Sequence, residues 1–573
     1  MRICIVAEGC YPYVVGGVSS WVHNLIRAFP AHEFVVLAIV ADRSLRGKFV
    51  YELPDNVVEV REVYLQDVDW SPRRRRRSRR ELGKEDYEIL KSLLLNRDVR
   101  WLSLFDLFRD DRISVNDVLM GEGFMDAARE VYEARRERIP YSDYLWTVRS
   151  IYLPLFLVLK ADIPKADLYH CVATGYAGVL GSMAKALYGC KLLVSEHGLY
   201  TREREEELIK ATWVQQVYKD IWVEQFRKMS TLAYTYADKV TSLFAHSRDL
   251  QVEMGCPAEK TQVTPNGVDP ARFEGLPGKR PEEEGLVNVG AVVRVTPIKD
   301  VKTLINAFYF AHMREGRLRL WIMGPVDEDP DYFEECQDLI EALGATDIEF
   351  TGRIDVTQWL GRMDMCVLTS LSEGQPLSIL ESFAARKPVI ATDVGNCRGL
   401  LYGEEGDDLG AAGVLTHIMD VQEISDAMVD LARDEELRAR MGEVGHERMM
   451  RRYRYDQMVD TYARIYRTFS DELRLSWPDD GPSDRDDSGP VQDAQRDGGP
   501  ASSPDGSEGG CSDHDRASDQ VDSTKINTKQ EVYTFGMGNH EQCHKPVVKS
   551  DGDAQPGLDG RGGGSEVGDS WRA

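Results

Sequence analysis

Apolar runs of strand length alternate with helical stretches along this chain, and this alternation constrains the fold more than any other feature. The opening run Arg2–Ala7 is predicted to be a strand, and residues 8–17 form the loop after it. A helix comes next, with Ser19 or Ser20 predicted as its N-terminal cap. The run Phe34–Val40 is the second predicted strand. A strand, a helix and a strand in this order predict a parallel sheet in an α/β protein.

A charged stretch, residues 66–150, interrupts this rhythm and is predicted to be an insertion carried by the first domain, residues 1–274. It contains the basic run Arg73–Arg77 with Arg79 and Arg80. Such a run either contacts an anionic lipid or a protein partner, or it is simply solvated. The elements predicted beyond the insertion are the strands Asp167–Ala173, Lys191–Ser195 and Asp238–Phe244 and a long helix over Glu203–Tyr236.

A second α/β pattern follows a linker rich in Gly, Pro and Glu at residues 275–285. Its predicted strands are Leu286–Val293, Leu318–Met323, Ile348–Phe350, Met365–Thr369 and Val389–Ala391, and its predicted helices are Val301–His312, Asp331–Leu343 and Leu377–Ala385. We assign residues 286–445 to the second domain and residues 446–470 to a closing helix. Two successive parallel halves predict two Rossmann-like domains that face a cleft, with ligands at the carboxyl ends of the strands.

The last part of the chain, residues 479–573, is rich in Gly, Ser, Asp and Pro and has little periodicity. We expect a disordered acidic tail, because this segment has too little apolar surface to offset the entropy cost of folding. The whole chain of 573 residues carries a net charge of −26. A protein this acidic is not expected to bind nucleic acid, since the phosphate backbone would repel it.

The cysteine pattern and the apolar runs bear on the compartment. The 10 cysteines are scattered and form no Cys-x-x-Cys pair, which favours a reducing environment over a disulfide scaffold. No secretory signal is expected, because the chain opens directly on a predicted strand. The most apolar stretch, Ile151 to Leu159, is far shorter than the roughly 20 residues that span a bilayer. The sequence therefore predicts a cytoplasmic protein, and peripheral docking at the inner face of a membrane stays open.

Two glutamates, Glu373 and Glu381, frame the main candidate site. The junction between strand and helix that separates them is formed by Gly374, Gln375, Pro376 and Leu377. Free backbone N–H groups at such a junction point at an anionic or hydroxylated ligand, and glutamates accept hydrogen bonds from sugar hydroxyls. In a chain with 96 acidic residues the two glutamates could instead be a solvated pair, but their placement after a strand favours a functional interpretation.

Arg294 and Lys299 follow the first strand of the second domain. Two cations at the carboxyl end of a strand can clamp a diphosphate and neutralise a leaving group. The alternative is a pair of ordinary surface cations. The acidic triplet Asp327–Asp329 is either a metal site or an exposed loop, and the loop is the favoured interpretation.

The first domain offers two further candidates. Gly16 and Gly17 lie in the loop after the first strand, where glycines either let a ligand approach the backbone or form a tight turn. His197 follows the strand Lys191–Ser195 and is therefore expected to face the cleft. A lone histidine is more often structural, so its position is the only argument for a functional role.

Together these residues resemble the pattern of glycosyltransferase family 4. That family has the GT-B fold, an Arg and a Lys after the first strand of the second domain, and a Glu-x7-Glu motif; residues 286–395 carry the resemblance. The chain is similar in particular to the PelF-type branch, which builds the Pel exopolysaccharide. This second resemblance covers residues 1–470 and depends on the segments Glu8–Tyr13, Gly16–His23, Thr174–Gly178 and Glu196–Glu203.

The resemblance implies roles for the candidate residues and an activity. Arg294 and Lys299 would hold the donor diphosphate, Glu381 would hold the ribose, and Glu373 would hold the donor sugar. Thr351, Gly352 and Arg353 would border the base. His197 would lie near the primary hydroxyl of the sugar, and Gly16 and Gly17 near the phosphates and the acceptor. The implied activity is that of a retaining hexosyltransferase that moves a sugar from a UDP-sugar, with UDP-glucose the leading choice, to a growing glycan. No cofactor and no metal are expected. The expected type of partner is a membrane transporter or a polysaccharide assembly subunit.

Two positions depart from the family pattern. Many members have Gly before the Arg and after the Lys, and this chain has Val293 and Asp300 there. Asp300 brings a negative charge close to the expected diphosphate site. Two other interpretations stay open: a sugar-nucleotide epimerase on the same fold, and a non-catalytic subunit that binds a nucleotide sugar within an assembly complex.

Overall fold

Two parallel sheets organise the computed structural model of this chain. The structure describes residues 1–66, 82–135, 139–211 and 216–477. The predicted basic run Arg73–Arg80 and the predicted tail, residues 479–573, lie outside the described residues. We call the part built on the first sheet the first lobe and the part built on the second sheet the second lobe.

The strands that the structure describes in the first sheet all run parallel, in the order β3-β2-β1-β4-β5-β6-β7. They are β1 (Arg2–Glu8), β2 (Glu33–Val40), β3 (Val57–Tyr64), β4 (Leu168–Cys171), β5 (Lys191–Glu196), β6 (Lys239–Ser242) and β7 (Thr261–Val263). β1 and β2 are apolar and buried along almost their whole length, as parallel strands covered on both faces must be. The predicted strands of this half are confirmed, whereas β3 and β7 were not predicted.

The helices of the first lobe are α1 (Gly17–Ala28), α2 (Lys84–Leu95), α3 (Trp101–Arg109), α4 (Val115–Met120), α5 (Glu122–Arg135), α6 (Tyr141–Leu159), α7 (Tyr176–Tyr188), α8 (Tyr200–Lys210), α9 (Gln216–Tyr236) and α10 (Ala245–Glu253). Helices α2 to α6 lie between β3 and β4, within the stretch expected to be an insertion. Their apolar residues share one core with side chains of β1, β2, β4 and β5, so they pack against the sheet.

The structure corrects two predicted helix boundaries. α1 begins at Gly17, with Gly16 as the cap residue and no side-chain cap, so neither Ser19 nor Ser20 caps it. Instead, Ser19 is buried, and the Ser20 N–H donates to the Gly16 carbonyl at 2.9 Å within the first turn. The single helix predicted over Glu203–Tyr236 is divided into α8 and α9, because α9 packs back against α8 and α7.

The second sheet is parallel as well, in the order β10-β9-β8-β11-β12-β13. Its strands are β8 (Val287–Val292), β9 (Leu318–Met323), β10 (Ile348–Gly352), β11 (Met365–Leu368), β12 (Val389–Thr392) and β13 (Gly413–Thr416). Its helices are α11 (Val301–Arg314), α12 (Pro330–Leu343), α13 (Leu377–Ala384), α14 (Cys397–Tyr402), α15 (Val421–Arg433) and α16 (Glu435–Arg452). The predicted strands and helices of this half are confirmed to within two residues; β13, α14 and α15 were not predicted.

Both sheets reverse their strand order at one point. The reversal lies between β1 and β4 in the first lobe, where Ile3 pairs with Leu168, and between β8 and β11 in the second, where Val289 pairs with Met365. At such a reversal the connections leave toward opposite sides and open a crevice at the carboxyl ends of the two strands. The topology therefore places a ligand crevice after β8 and β11.

The segment predicted as a closing helix, residues 446–470, contains the end of α16 and most of α17 (Tyr455–Glu472). The helix is interrupted because the backbone pairs with the chain that leaves the first lobe. The Val268 N–H donates to the Tyr453 carbonyl, and the Tyr455 N–H donates to the Val268 carbonyl, each at 2.9 Å. A Cβ on Gly267 would lie 2.4 Å from the Arg454 carbonyl, so this crossing is tight.

Helix α17 returns to the first lobe after this crossing. Its buried side chains join the core formed by the other face of the first sheet and α1, and they are Met458, Tyr462, Ile465, Tyr466 and Phe469. The first lobe is thus completed by residues that follow the second lobe in sequence. This arrangement ties the two lobes together through the end of the described chain.

The linker predicted at residues 275–285 is anchored at its end. Glu283 is buried and forms an ion pair with the buried Arg362, whose Nε lies 3.2 Å from the Glu283 carboxylate. The Arg362 guanidinium also stacks over Trp359 and Trp321, at 4.2 Å and 5.0 Å from the ring centroids. The second lobe therefore fixes the point at which the chain enters it.

The cysteines within the described residues are all free, and most are buried. Burial raises the pKa of the Cys366 thiol to about 11, so it stays protonated and packs as a small apolar group. None of the helices described here combines the length and the apolar character needed to cross a membrane.

Arg448 on α16 is the largest fully buried polar side chain in the described part of the chain. Its guanidinium binds both oxygens of Asp407, at 2.7 and 3.0 Å, and donates to the carbonyls of Leu400, Leu401 and Gly410. Hydrogen bonding by Arg448 holds the pKa of Asp407 below its usual value. This one side chain therefore joins α16 to the loop after α14.

Replacing Arg448 by Met should destabilise the second lobe strongly. Removing one partner of a buried ion pair leaves the other charge unpaired and costs about 3–5 kcal/mol. The matched control is Arg314→Met, which removes an exposed pair with Asp426, and such pairs contribute about 1 kcal/mol or less. Urea denaturation followed by circular dichroism measures both, and equal midpoints for the two variants would contradict the structural role of Arg448.

Candidate functional site

Lys299 and Glu373 meet at the crevice between β8 and β11. Lys299 ends a short turn after β8, and Glu373 lies in the loop between β11 and α13. Their Nζ and Oε1 atoms are 2.5 Å apart, with the side chains 17% and 11% exposed. The fold therefore joins two residues that the sequence analysis singled out separately, and it does so at the point where the topology places a ligand.

Asp300 takes a conformation that explains why it can replace the family glycine. Its backbone is left-handed, with φ 48° and ψ 50°, a region that Gly, Asn and Asp enter most easily. Its side chain accepts a hydrogen bond from the Thr303 N–H at 3.4 Å and caps α11. The Thr369 hydroxyl donates to the carbonyls of Lys299 and Asp300, at 3.0 and 3.1 Å. The loops after β8 and β11 are thereby fastened to each other.

Arg294 has a carboxylate partner of its own. Its Nη1 lies 2.7 Å from Oε2 of Glu328, a member of the acidic triplet predicted at 327–329. The neighbouring Asp329 caps α12 by accepting from the Tyr332 N–H at 3.0 Å. The structure thus gives two members of the triplet specific partners, and Arg294 and Lys299 are neutralised by different carboxylates.

A group of three possible metal ligands lies away from the acidic triplet Asp327–Asp329. Within the described ranges, the group that brings three ligand atoms within 4.8 Å of one another is His417, Asp420 and Glu423, around the start of α15. His417 and Glu423 are already hydrogen-bonded to each other at 2.9 Å. Exposed acidic groups of this kind are common, and the cluster lies on a different loop from residues 327–329.

The loop after Glu373 contacts the first lobe. A Cβ on Gly374 would lie 2.5 Å from the His197 carbonyl, so the two backbones touch across the cleft. Gln375 is buried, and its Oε1 accepts a hydrogen bond from the Asn266 N–H at 2.7 Å. Gln375, expected to contact the ligand, therefore has a bridging role between the lobes. Pro376 is the cap residue of α13, which begins at Leu377 as predicted.

Two residues that the sequence analysis missed contact the backbone carbonyls of this loop. Gly395, after β12, has φ +52°, and a Cβ there would lie 2.1 Å and 2.4 Å from the carbonyl oxygens of Glu373 and Gly374. The N–H of the adjacent Asn396 donates to the Gly374 carbonyl at 2.8 Å. A Gly-Asn pair a few residues after a predicted strand is a turn signal that could have revealed them.

Glu381 lies on α13, one turn beyond the start of the helix. Burial raises the pKa of its carboxyl to about 7. The positive charge of Arg272 opposes this shift, and the negative charge of Asp355 adds to it. The group therefore titrates near neutrality, unlike an ordinary surface glutamate. A carboxyl with such a pKa in a cleft is a typical feature of a functional site.

His197 lies between the first helix and the loop after Glu373. Its ring packs edge-on against Trp21 of α1, with centroids 4.3 Å apart. Burial lowers the pKa of the imidazole to about 4, so the ring is neutral at pH 7. Its Nε2 is buried and has no hydrogen-bond partner among the described residues. The carbonyl of His197 contacts Gly374 across the cleft, so the backbone of His197 borders the loop after Glu373.

The remaining predicted residues lie around this centre. Gly16 has an extended backbone and Gly17 opens α1, so neither glycine forms a tight turn, and a Cβ at either would meet nothing within 4 Å. Thr351 and Gly352 end β10, which β9 separates from β8. Gly352 has φ +68° and accepts from the Gly324 N–H at 3.0 Å, while Arg353 is exposed. The structure does not bring these residues into contact with Lys299 or Glu373.

Several of the buried polar atoms that have no partner among the described residues lie at or just beyond the carboxyl ends of the strands. Those in the second lobe belong to Thr296, Asp300, Ser370 and Asn396, and those in the first lobe to His197, Ser242 and Thr264. A buried polar group left unpaired is costly, so native structures pair it with protein, water or ligand. Those at this edge of the two sheets are suited to bind a polar ligand or ordered water in the cleft.

Two family models match this chain. Residues 1–259 match a domain of unknown function (DUF3492), and residues 283–434 match the family described as glycosyl transferases group 1. The second match contains Arg294, Lys299, Glu373 and Glu381. The match to the glycosyl transferases group 1 family thus covers most of the second lobe.

Two characterised relatives are similar over part of their length. N-acetyl-alpha-D-glucosaminyl L-malate synthase of Bacillus anthracis is 25% identical over 246 residues, which cover 43% of this chain and 60% of that protein. MMP alpha-(1->4)-mannosyltransferase of Mycolicibacterium hassiacum is 23% identical over 308 residues, which cover 52% of this chain and 70% of that protein. The chain thus spans 60% of the length of the first relative.

Solved structures share the two-lobed architecture. Anabaena HepE in complex with UDP and glucose has a TM-score of 0.51 at 16% identity, covering 82% of this chain and 100% of that chain. Sucrose-phosphate synthase from Thermosynechococcus elongatus has a TM-score of 0.52 at 16% identity, covering 82% and 99%. At this identity the likeness shows the fold alone, and it confirms the predicted GT-B arrangement of two Rossmann-like domains.

Substituting Gly395 by Ala should distort the loop at Glu373. The left-handed backbone costs an alanine about 1 kcal/mol, and the Cβ would also collide with the two carbonyl oxygens beneath it. Gly344→Ala is the matched control, because Gly344 has φ +59° but a Cβ there meets nothing within 4 Å. Chemical denaturation should show a loss of stability at least twofold larger for Gly395→Ala. Equal losses would mean that the loop accommodates the Cβ.

Proposed function

We propose that this chain is a retaining glycosyltransferase of family 4 that transfers a sugar from a UDP-sugar to a growing glycan. The observation that carries the proposal is the Lys299–Glu373 pair, which places a cation and a carboxylate at the strand reversal of the second lobe. A cation at this point can bind a diphosphate, and the carboxylate beside it can accept hydrogen bonds from sugar hydroxyls. The match of residues 283–434 to the glycosyl transferases group 1 family supports this assignment.

Each candidate residue takes a role that its surroundings support. Lys299 and Arg294 stabilise the negative charge that grows on the diphosphate as its bond to the anomeric carbon breaks. Glu373 and the free N–H groups at the start of α13 hold the donor sugar. Glu381 accepts hydrogen bonds from the ribose, and the neutral His197 contacts the sugar from the first lobe. These charges are fixed in the protein, so the reaction we propose needs no divalent metal.

We also propose a specific donor sugar nucleotide and a class of acceptor. UDP-glucose is our leading donor, because the structurally similar Anabaena HepE was solved with UDP and glucose. The first lobe, with the open backbone at Gly16 and Gly17, is the proposed acceptor side. The resemblance of residues 1–470 to the PelF-type branch suggests an exopolysaccharide acceptor, a cytoplasmic location, and a transporter or assembly subunit as partner.

Turnover with a panel of nucleotide sugars tests the proposal. We expect UDP-glucose to be consumed in the presence of EDTA and its sugar to appear in a glycosidic bond with retained configuration. Lys299→Ala should lower kcat at least about tenfold, because the loss of one charge-stabilising group typically costs that much or more. Lys302→Ala, which removes a lysine paired with Glu335 on the next helix, is the matched control and should keep its rate.

Three outcomes would contradict this proposal. Release of free sugar and UDP without an acceptor product would indicate an epimerase instead. Loss of activity in EDTA with rescue by magnesium or manganese would overturn the metal-free mechanism. Absence of turnover with every nucleotide sugar that binds would favour a non-catalytic binding subunit.

Binding of UDP-glucose should weaken as the pH falls through 7. The pKa of Glu381 is raised to about 7, and only the ionised carboxylate can accept hydrogen bonds from both ribose hydroxyls. Protonation therefore removes acceptors, and the affinity should fall up to about tenfold between pH 8 and pH 6. UDP-glucose is preferred to UDP for calorimetry, because its diphosphate diester does not titrate in this range.

Glu381→Gln provides the control for the pH dependence. This variant cannot ionise, so its affinity should be weaker and the same at pH 8 and pH 6. A pH dependence that persists in Glu381→Gln would assign the titration to another group.

A further inference from the structure

The guanidinium of Arg294 is held by a carboxylate of its own lobe. Its Nη1 lies 2.7 Å from Oε2 of Glu328, and the two side chains are 49% and 18% exposed. Glu328 is therefore the more enclosed partner, and Arg294 is the partner that can turn toward a ligand. The pair lies where the loops after β8 and β9, two neighbouring strands, leave the sheet.

The backbone keeps Glu328 close to Arg294. Val293 and Val295, on either side of Arg294, donate backbone hydrogen bonds at 3.0 Å to the segment that leads to Glu328. Gly324 in that segment has φ +154°, and a Cβ there would lie 2.1 Å from the Val293 carbonyl. The backbone thus holds the segment that leads to Glu328 against the backbone on either side of Arg294.

We propose that Glu328 sets the affinity for the nucleotide donor by competing with its diphosphate for Arg294. This inference rests on the function proposed above. A carboxylate and a phosphate offer the same planar guanidinium similar oxygen acceptors, so Arg294 exchanges one anionic partner for another when the donor binds. Donor binding must then break an existing ion pair, and product release re-forms it.

Glu328 differs in this respect from the carboxylate that neutralises Lys299. Glu373 pairs with Lys299, but it is also the proposed contact for the donor sugar, so its removal deletes a ligand contact along with the competitor. Glu328 has only the competing role in this scheme. Removing its charge should therefore strengthen nucleotide binding, which is the opposite of what the loss of a ligand contact does.

Calorimetric titration of the full chain with UDP, GDP and ADP at low ionic strength tests the proposal. Glu328→Gln should bind the preferred nucleotide about three- to fivefold more tightly than the wild type, the range expected when a partly exposed ion pair no longer competes. The matched control is Glu349→Gln, which removes an Arg–Glu pair with Arg319 at the amino ends of β9 and β10. Its affinity should equal that of the wild type.

The same titration in an Arg294→Ala background identifies the group through which Glu328 acts. There the additional Glu328→Gln substitution should leave the affinity unchanged, because no guanidinium remains to compete for. An unchanged or weaker affinity in the single variant Glu328→Gln overturns the proposal, as does a gain that persists without Arg294 or that also appears in Glu349→Gln.

The outcome also separates this inference from the proposed function. If the wild type binds none of the three nucleotides, both are overturned. If the wild type binds one of them and Glu328→Gln binds it no better, the competing role of Glu328 is wrong while a nucleotide-dependent function stands.

Discussion

The reversal of strand order in each parallel sheet is the constraint on which the rest of the cleft depends. Strands that run in one direction present all their carboxyl ends at one edge, and the reversal between β8 and β11 leaves a crevice there. The residues after these two strands must therefore meet, and Lys299 and Glu373 do so at 2.5 Å. The first lobe reverses between β1 and β4, and its residue His197 touches the loop after Glu373 through Gly374.

Helix α17 joins the end of the second lobe to the first lobe by hydrogen bonds and side-chain packing as well as by the covalent chain. In the first lobe, the buried His170 bonds to the Ser195 hydroxyl and to the Tyr466 hydroxyl of α17, both at 2.7 Å. Burial lowers the pKa of His170 to about 3, so the network is neutral and stays fully bonded near pH 7. Trp21 donates to Met458 of α17 at 3.2 Å and also packs against the His197 ring. The helix that closes the first lobe therefore supports a residue of the cleft.

The charges at the cleft are balanced within the protein. Lys299 and Arg294 each face a carboxylate, and the buried pairs of Glu283 and Arg448 lie away from the ligand crevice, where they hold loops. A cation that has a nearby carboxylate partner is stabilised in the empty protein, and a ligand gains only the difference between the two partners. Backbone conformation adds a second requirement, since Asp300 and Gly395 adopt left-handed conformations to aim the loops.

The sequence by itself determined the two α/β halves, most strand positions and the placement of Lys299 and Glu373 after strands, because apolar periodicity and turn residues are local signals. The tertiary structure decided which residues pair, since Lys299 and Glu373 or Arg294 and Glu328 are distant in sequence and meet only through the order of the strands. It also decided the interruption between α16 and α17, which follows from backbone pairing with Val268 and leaves no mark in the helical pattern. Hydrogen bonds between distant segments cost chain entropy that only the complete fold offsets, so no local pattern could predict them.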